Sequence, residues 1–408
     1  MRWKMSHLAT VLLFCISTLC SLSLARQPEF RKFYLEFGQK DTPGWGWVRP
    51  GDMDGDGDID LVAGGGRRLF VYTNDGKARG WVAHGSLDPT EEIGSNGCIL
   101  YDVDRDGDLD VVSARYKSDP GWWENPGDRL FEETWEFHAL DNNLDGWYVH
   151  DILLADLDGD GKKDEFVFNF NKGYWEATTR IYWYRPGSDP HDKWEKFVIA
   201  HDMPEQNHGH AGLDAADLDG DSHVDLVFSN GWFKAPPHPD EGGWTWRHIC
   251  PVYGISNSLA VDIDRDGMLD LVMAAGHHGK GIYWYRNEGN AAGWSLVTID
   301  STIVHPEGMQ VLDFDNDGWS DILAAELFFG EEPGEPDWSD EAHGIYLFRN
   351  TGGTIPGWEK IVISSDSYPA HGILISDVNL DGIPDLIGNG CGYSVISYYE
   401  GLNSSTGN

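Results

Sequence analysis

The sequence predicts an all-β fold, a seven-bladed β-propeller closed by its own N-terminal strand, and three observations support this. An acidic pattern, D-x-D-x-D-G-x-x-D, occurs seven times, with starts 45 to 64 residues apart. Each copy lies between two short apolar stretches, and an aromatic stretch follows. The 31 residues after Asp377 and the 26 from Arg26 to Asp52 together make about one more repeat. A period near 50 residues of short strands is that of a propeller blade, and a last unit completed by the N-terminus makes a ring.

In chain order, residues 1–25 are expected to be a signal peptide. Arg2 and Lys4 give a positive start, Leu8 to Leu24 is apolar, and Ser23 and Ala25 occupy small-residue cleavage positions. A membrane anchor is the alternative, because the apolar run approaches spanning length. No later segment is apolar enough to cross a bilayer, so residues 26–408 are expected to be one secreted or periplasmic propeller, a monomer. Three cysteines remain there, Cys98, Cys250 and Cys391. That is too few for a disulfide framework, and buried thiols are expected.

Within each repeat the stretch before the acidic loop, such as Cys98 to Tyr101, reads as the innermost strand. The stretch after it, such as Val111 to Ser113, reads as the second. Aromatic runs such as Ile282-Tyr-Trp-Tyr285 read as the third. Trp81, Trp135, Trp194, Trp244, Trp294 and Trp358 open the fourth strands. The seventh fourth strand is Phe33-Tyr-Leu-Glu-Phe37, placed beside Ser394 to Tyr399. Tryptophans at one phase of a repeat are expected to pack between blades. Tyr116, Tyr174, Trp175, Trp232, Phe233, Phe328 and Phe329 break the phase and are the stacking candidates.

Carboxylates at alternating positions of a tight loop, around a glycine able to take positive φ, make a hard-cation site. The expected calcium ligands are Asp52, Asp54, Asp56 and Asp60 in the first loop, then Asp102, Asp104, Asp106 and Asp110 in the second. The third and fourth supply Asp156, Asp158, Asp160, Asp164, Asp217, Asp219, Asp221 and Asp225. The fifth and sixth supply Asp262, Asp264, Asp266, Asp270, Asp313, Asp315, Asp317 and Asp321. The last has Asp377, Asn379, Asp381 and Asp385. Asn379 at position 3, and Ser222 in place of glycine at position 6 of the fourth loop, are expected to weaken those two sites. Calcium in this setting is expected to fix turns.

The net charge of −39 makes nucleic acid an improbable partner, and the loops hold 29 of the 68 acidic residues. Aromatics at 13 % provide for a packed core, so the acidity does not signify disorder. The loops join first to second strands, so the opposite face carries the remaining connections. There Arg115, Tyr116, Lys117, Tyr174, Asn230, His277 and His278 meet His150, His208, His210 and His371 around the channel mouth. Convergent polar groups at a concave mouth are a default site. Alternatively, each histidine satisfies channel-lining backbone groups.

The loops and the Leu-Val strands after them resemble FG-GAP or VCBS repeats, as in integrin α-subunit propellers and many secreted bacterial proteins. That resemblance implies the propeller and its calcium. Among enzymes of this fold are polysaccharide lyases acting on ulvan, rhamnogalacturonan and rhamnose-capped glucuronate chains, and aldos-2-ulose dehydratase. The lyases cluster His, Tyr and Arg on one face, which is similar to the inventory above.

A polysaccharide lyase cleaving an anionic, uronate-containing polysaccharide or oligosaccharide by β-elimination is therefore expected. The uronate carboxylate must be neutralised, a base must take the C5 proton, and an acid must protonate the leaving oxygen. Arg115 with Lys117 is the expected clamp, His150 or His210 the base, and Tyr116 or Tyr174 the acid. Trp175, Asn230, Trp232, His277, His278 and His371 are the expected substrate contacts. A zinc-like ion held by His208 and His210, with His277 or His278, is a further expectation. A non-catalytic glycan- or protein-binding propeller, and a sugar dehydratase or hydrolase, stand as alternatives.

Overall fold

A computed structural model describes residues 28–36, 46–65, 68–85, 97–115, 119–144, 146–172, 178–204, 211–249, 255–276, 279–327, 344–365, 372–389 and 395–402. These form seven four-stranded antiparallel sheets, each ordered as a meander. Blade 1 comprises Gly46–Gly51, Asp60–Gly65, Arg68–Thr73 and Val82–Gly85. Blade 2 comprises Ile99–Tyr101, Asp110–Ala114, Pro120–Glu124 and Glu136–Ala139, and blade 3 Tyr148–Ala155, Glu165–Lys172, Thr178–Arg185 and Glu195–Pro204. Blade 4 comprises Leu213–Ala216, Asp225–Phe228, Gly231–Lys234 and Thr245–His248, and blade 5 Ile255–Val261, Asp270–Ala275, Lys280–Asn287 and Trp294–Val304. Blade 6 comprises Pro306–Leu312, Asp321–Glu326, Ile345–Asn350 and Trp358–Ser364.

Blade 7 is made of Gly372–Ser376, Asp385–Asn389, Val395–Leu402 and the N-terminal strand Glu29–Glu36. The last two pair from Glu29↔Leu402 to Glu36↔Val395. This joins the two ends of the described chain and completes the ring, leaving no blade short of an outer strand. Among the described residues no helix is long and apolar enough to cross a membrane.

The core lies between consecutive blades. Second strands such as Phe166, Phe168 and Phe170 of blade 3 pack with Trp122 of blade 2. The six tryptophans expected at the fourth strands stand at their starts or one residue before them. Trp135 and Trp194 are almost fully buried there. Trp194 donates its indole N–H to Pro190 O at 2.7 Å, which settles the polar edge of a buried ring. Cys98 is a buried free thiol.

First strands line the axis, and their backbones approach closely. A Cβ on Gly97 would stand 2.8 Å from Ile152 N, and one on Gly308 2.8 Å from Ile373 N. Only glycine permits that contact. Because the first strands are sheet edges, their unpaired backbone groups need other partners. Side chains supply them from blade to blade. Arg49 donates to Cys98 O at 2.8 Å, Gly212 N donates to Asp151, Ala260 N donates to Asp214, and Asn257 donates to Glu307 O.

Candidate functional site

All seven acidic loops join first to second strands, so the alternating direction of the strands puts them on one face of the ring. Two positions of each loop take the left-handed backbone. Position 6 does so in every copy, including Ser222 at φ 71°. Position 4 does so as well, as Gly55, Arg105, Gly159, Gly220, Arg265, Asn316 and Leu380. In all seven loops the position-5 carboxylate accepts the N–H of position 7. In six, the position-1 carboxylate accepts the N–H of position 6. The backbone thus holds the acids inward before any ion is considered.

The acid that opens the second strand is buried in every blade: Asp60, Asp110, Glu165, Asp225, Asp270, Asp321 and Asp385. Each accepts the N–H of loop position 2, as Val103 N to Asp110 at 2.8 Å. In the third loop this role belongs to Glu165, which takes Leu157 N at 2.8 Å, and not to Asp164. That loop is one residue longer, so the strand register places Glu165 opposite Ala155. Burial pushes Asp110 and Glu165 up to about 8, and Asp225 to about 7.

The donor set fits a hard divalent cation. Oxygen donors of Asp52, Asp54 and Asp56, of Asp102, Asp104 and Asp110, and of Asp156, Asp158 and Asp160 converge to within 4.8 Å in each set. Asp102 Oδ1, Asp219 Oδ1, Asp264 Oδ1 and Glu165 Oε1 are buried without a hydrogen-bond partner. A buried carboxylate oxygen in that state is costly unless a cation meets it.

The loops nevertheless divide into two kinds. In four of them a basic residue at the end of the third strand reaches the position-3 carboxylate. Arg185 meets Asp158 at 3.0 Å, Arg286 meets Asp264 at 2.6 Å, Arg349 meets Asp315 at 3.8 Å, and Lys234 contacts Asp219. Lys234 also lies 2.6 Å from Asp221. The same place in blades 1, 2 and 7 holds Thr73, Glu124 and Glu400. Among the described residues, loops 1 and 2 therefore carry full carboxylate sets with no tethered cation, and desolvation pushes Asp54 and Asp104 up. Lys234 follows the second strand of blade 4 closely in sequence, where a second-to-third connection on the opposite face would be expected. The third strand of blade 4 starts at Gly231, which carries Lys234 to the acidic face instead.

Across the ring, the channel contains a cavity of about 200 Å³ bordered by Trp47, Arg49, Asp151, Asn257 and Gln310. Asp151 is the hub of its rim. Its Oδ2 accepts from Asn169 Nδ2 at 3.0 Å and Gly212 N at 3.2 Å, and lies 3.1 Å from His150 Nδ1. His150 is 8 % exposed and sits at a β-bulge between Val149 and Asp151, which aims it differently from its neighbours.

The other expected site residues separate. Arg115 directly follows the second strand of blade 2, its guanidinium 3.9 Å from the centre of the Phe137 ring. Trp232 and Phe233, expected as stacking surfaces, are 3 % exposed core residues, because the short turn before them brings them into phase with the third-strand aromatics. Asn230 is buried, and its Nδ2 lies 3.4 Å from His248 Nε2. Tyr116, Lys117, Tyr174, Trp175, His208, His210, His277, His278, Phe328, Phe329 and His371 lie outside the described residues, and with them the expected zinc-like site. Sequence reasoning gave Asp151, at the mouth, no organising role, and it missed Glu165 as a loop acid. The first was signalled by an Asp next to a His at the start of an inner strand, the second by the extra residue in loop 3.

Among solved structures, an Agrocybe aegerita lectin described as recognising non-reducing terminal N-acetylglucosamine is 15 % identical, covering 89 % of this chain and 86 % of its own, with a TM-score of 0.46. A Bacillus licheniformis rhamnogalacturonan lyase is 14 % identical over 92 % of this chain and 74 % of its own, at 0.44. The S. cerevisiae core factor is 8 % identical over 95 % of this chain and 64 % of its own, at 0.53. No curated protein sequence matches the chain. A family model described as FG-GAP-like repeat matches residues 52–113, 102–167, 156–228 and 262–324, which is more than half of the chain. With seven such loops at equivalent places in seven blades, the chain belongs to the FG-GAP-like repeat family.

Proposed function

We propose that this chain is a secreted, calcium-stabilised propeller acting on carbohydrate, and that it cleaves a uronate-containing glycan by β-elimination on the face opposite the acidic loops. The observation that carries this reading is the His150–Asp151 pair. A carboxylate at Nδ1 fixes that nitrogen as the protonated one and gives the basic lone pair to Nε2. The carboxylate is itself held by Asn169 and Gly212 N, so the imidazole is oriented by a rigid partner, as a general base requires. It would take the C5 proton, with Tyr116 or Tyr174 protonating the leaving oxygen. Arg115 stacks on Phe137, so Lys117 is the better clamp for the uronate carboxylate.

At about 200 Å³ the channel is below the size of ordinary ligand pockets, so the glycan would lie across the rim rather than inside the ring. Calcium held by loops 1 and 2 would fix the far face and supply no step of the reaction.

A second reading, a non-catalytic glycan-binding propeller, is favoured by one observation. Asp151, Asp214 and Asn257 tie consecutive inner strands together, which suits a rigid platform. A panel of uronate polysaccharides separates the two. Elimination creates a C=C bond with new ultraviolet absorbance, and His150→Ala should abolish it while glycan affinity persists. Affinity without product in the parent protein would establish the binding reading. Neither affinity nor product across the panel would sink both.

A further inference from the structure

We infer that Glu124, His138 and His191 form a transition-metal site, of the zinc class, that bridges blades 2 and 3 beside the second acidic loop. Glu124 ends the third strand of blade 2, and His138 lies on the fourth strand beside it, paired with Trp122. His191 comes from the connection between the third and fourth strands of blade 3. Their donor atoms all lie within 4.8 Å of one another. His138 Nε2 stands 2.8 Å from Glu124 Oε2, and His191 Nε2 3.3 Å from the same oxygen. Ligands about 2.0 Å from a tetrahedral ion are about 3.3 Å apart, so little adjustment would admit one.

The site is built, not a chance meeting of surface chains. The His138 ring stacks on the buried Trp122 indole, with centroids 4.4 Å apart and planes at 26°. His191 rests against the same indole at 5.5 Å. Asp189 Oδ1 lies 2.9 Å from His191 Nδ1. A carboxylate can only accept there, so Nδ1 carries the proton and Nε2 turns its lone pair toward Glu124. This is the outer-carboxylate arrangement that orients metal-bound histidine. Two imidazoles and one carboxylate suit zinc and its neighbours, whereas calcium prefers six or more oxygens. The site is therefore chemically distinct from the adjoining loop. His191 is half-exposed, which leaves the fourth coordination position open to water or a small ligand.

The test is calorimetric titration of zinc chloride into the full chain with calcium saturating. One zinc per chain is expected. His191→Ala and Glu124→Gln should weaken it at least about 10-fold, and Asp189→Asn by roughly 10-fold or more through loss of orientation. His191 projects from a connection, so its removal spares the fold, and an unchanged melting curve would confirm that. Cobalt(II) should give the intense visible bands of a tetrahedral ion in the parent and lose them in His191→Ala. Zinc binding unaltered by His191→Ala, or abolished by excess calcium in the parent, would overturn the assignment.

Discussion

The side-chain amide of Asn125 donates to the backbone carbonyl of Met53, 3.0 Å away and in the neighbouring blade. The same Asn gives its backbone N–H to buried Asp110 at 2.9 Å. Asn74, Asn287 and Asn350 repeat the bond, to Val378, Leu218 and Ile263 of the preceding blades. Each links three things: the acid that opens a second strand, the end of a third strand, and the acidic loop next door. Asn125→Ala would leave Met53 O and Leu109 O without this donor, at a cost of about 1–3 kcal/mol for buried polar groups. Chemical denaturation of the variant should show that loss. A change below a few tenths would mean that water replaces the amide freely.

The tethered cations of loops 3 to 6 predict that these loops respond to calcium differently from loops 1 and 2. Lys234→Met removes the charge that meets Asp219 and Asp221 and leaves loop 4 dependent on an external ion. In chelator the variant should be less stable than the parent, by on the order of 1 kcal/mol for a partly buried pair, and added calcium should restore it. Asp54→Asn in loop 1, which has no such tether, should instead reduce the calcium bound per chain. Equal melting of Lys234→Met with chelator and with calcium would refute the division of the loops.

Five non-glycine loop residues, Arg105, Ser222, Arg265, Asn316 and Leu380, sit in backbone that favours glycine, and two of them make the test. Ser222 has φ 71° and Leu380 φ 56°, the latter 54 % exposed. Side-chain-bearing residues there cost roughly 1–2 kcal/mol. Ser222→Gly and Leu380→Gly should each recover about 1 kcal/mol, offset in part by the greater freedom of glycine in the unfolded chain. Thermal melts of the two variants, singly and combined, check this. A fall in stability would show that the side chains make contacts worth more than the strain.

Most of the architecture was legible because the acidic repeat marks one fixed point per blade. From it the blade count, the strand order and the closure beside Val395–Leu402 all follow. The left-handed conformation at loop position 4 was legible only in part: Gly55, Gly159 and Gly220 signal it, whereas Arg105, Arg265, Asn316 and Leu380 carry no glycine signature. Nor was the burial of Trp232, whose blade has an unusually short turn at Ser229 and Asn230. The Glu124–His138–His191 cluster joins two blades through residues far apart in sequence, and only the ring geometry brings them together. At the channel mouth, sequence identified polar residues but not their partners. There Asp214 and Asn257, which no sequence pattern singled out in this role, satisfy edge-strand backbone.

The buried loop acids give the last prediction, a pH dependence whose direction depends on calcium. In the ion-free chain desolvation holds Asp60, Asp270 and Asp321 up to about 6, Asp225 to about 7, and Asp110 and Glu165 to about 8. Unfolded, such groups titrate near about 4. Between those values the folded chain binds more protons than the unfolded one, so its stability falls as pH rises. The contribution is fully present below the unfolded value and is lost as pH passes through about 6 to 8. A dication beside these carboxylates favours their charged form and lowers the folded-state values, which removes the slope. In chelator, melting temperature should therefore drop between about pH 4 and about pH 8, and in saturating calcium the curve should be nearly flat over that range. Parallel curves in the two buffers would mean that the cation does not reach these acids.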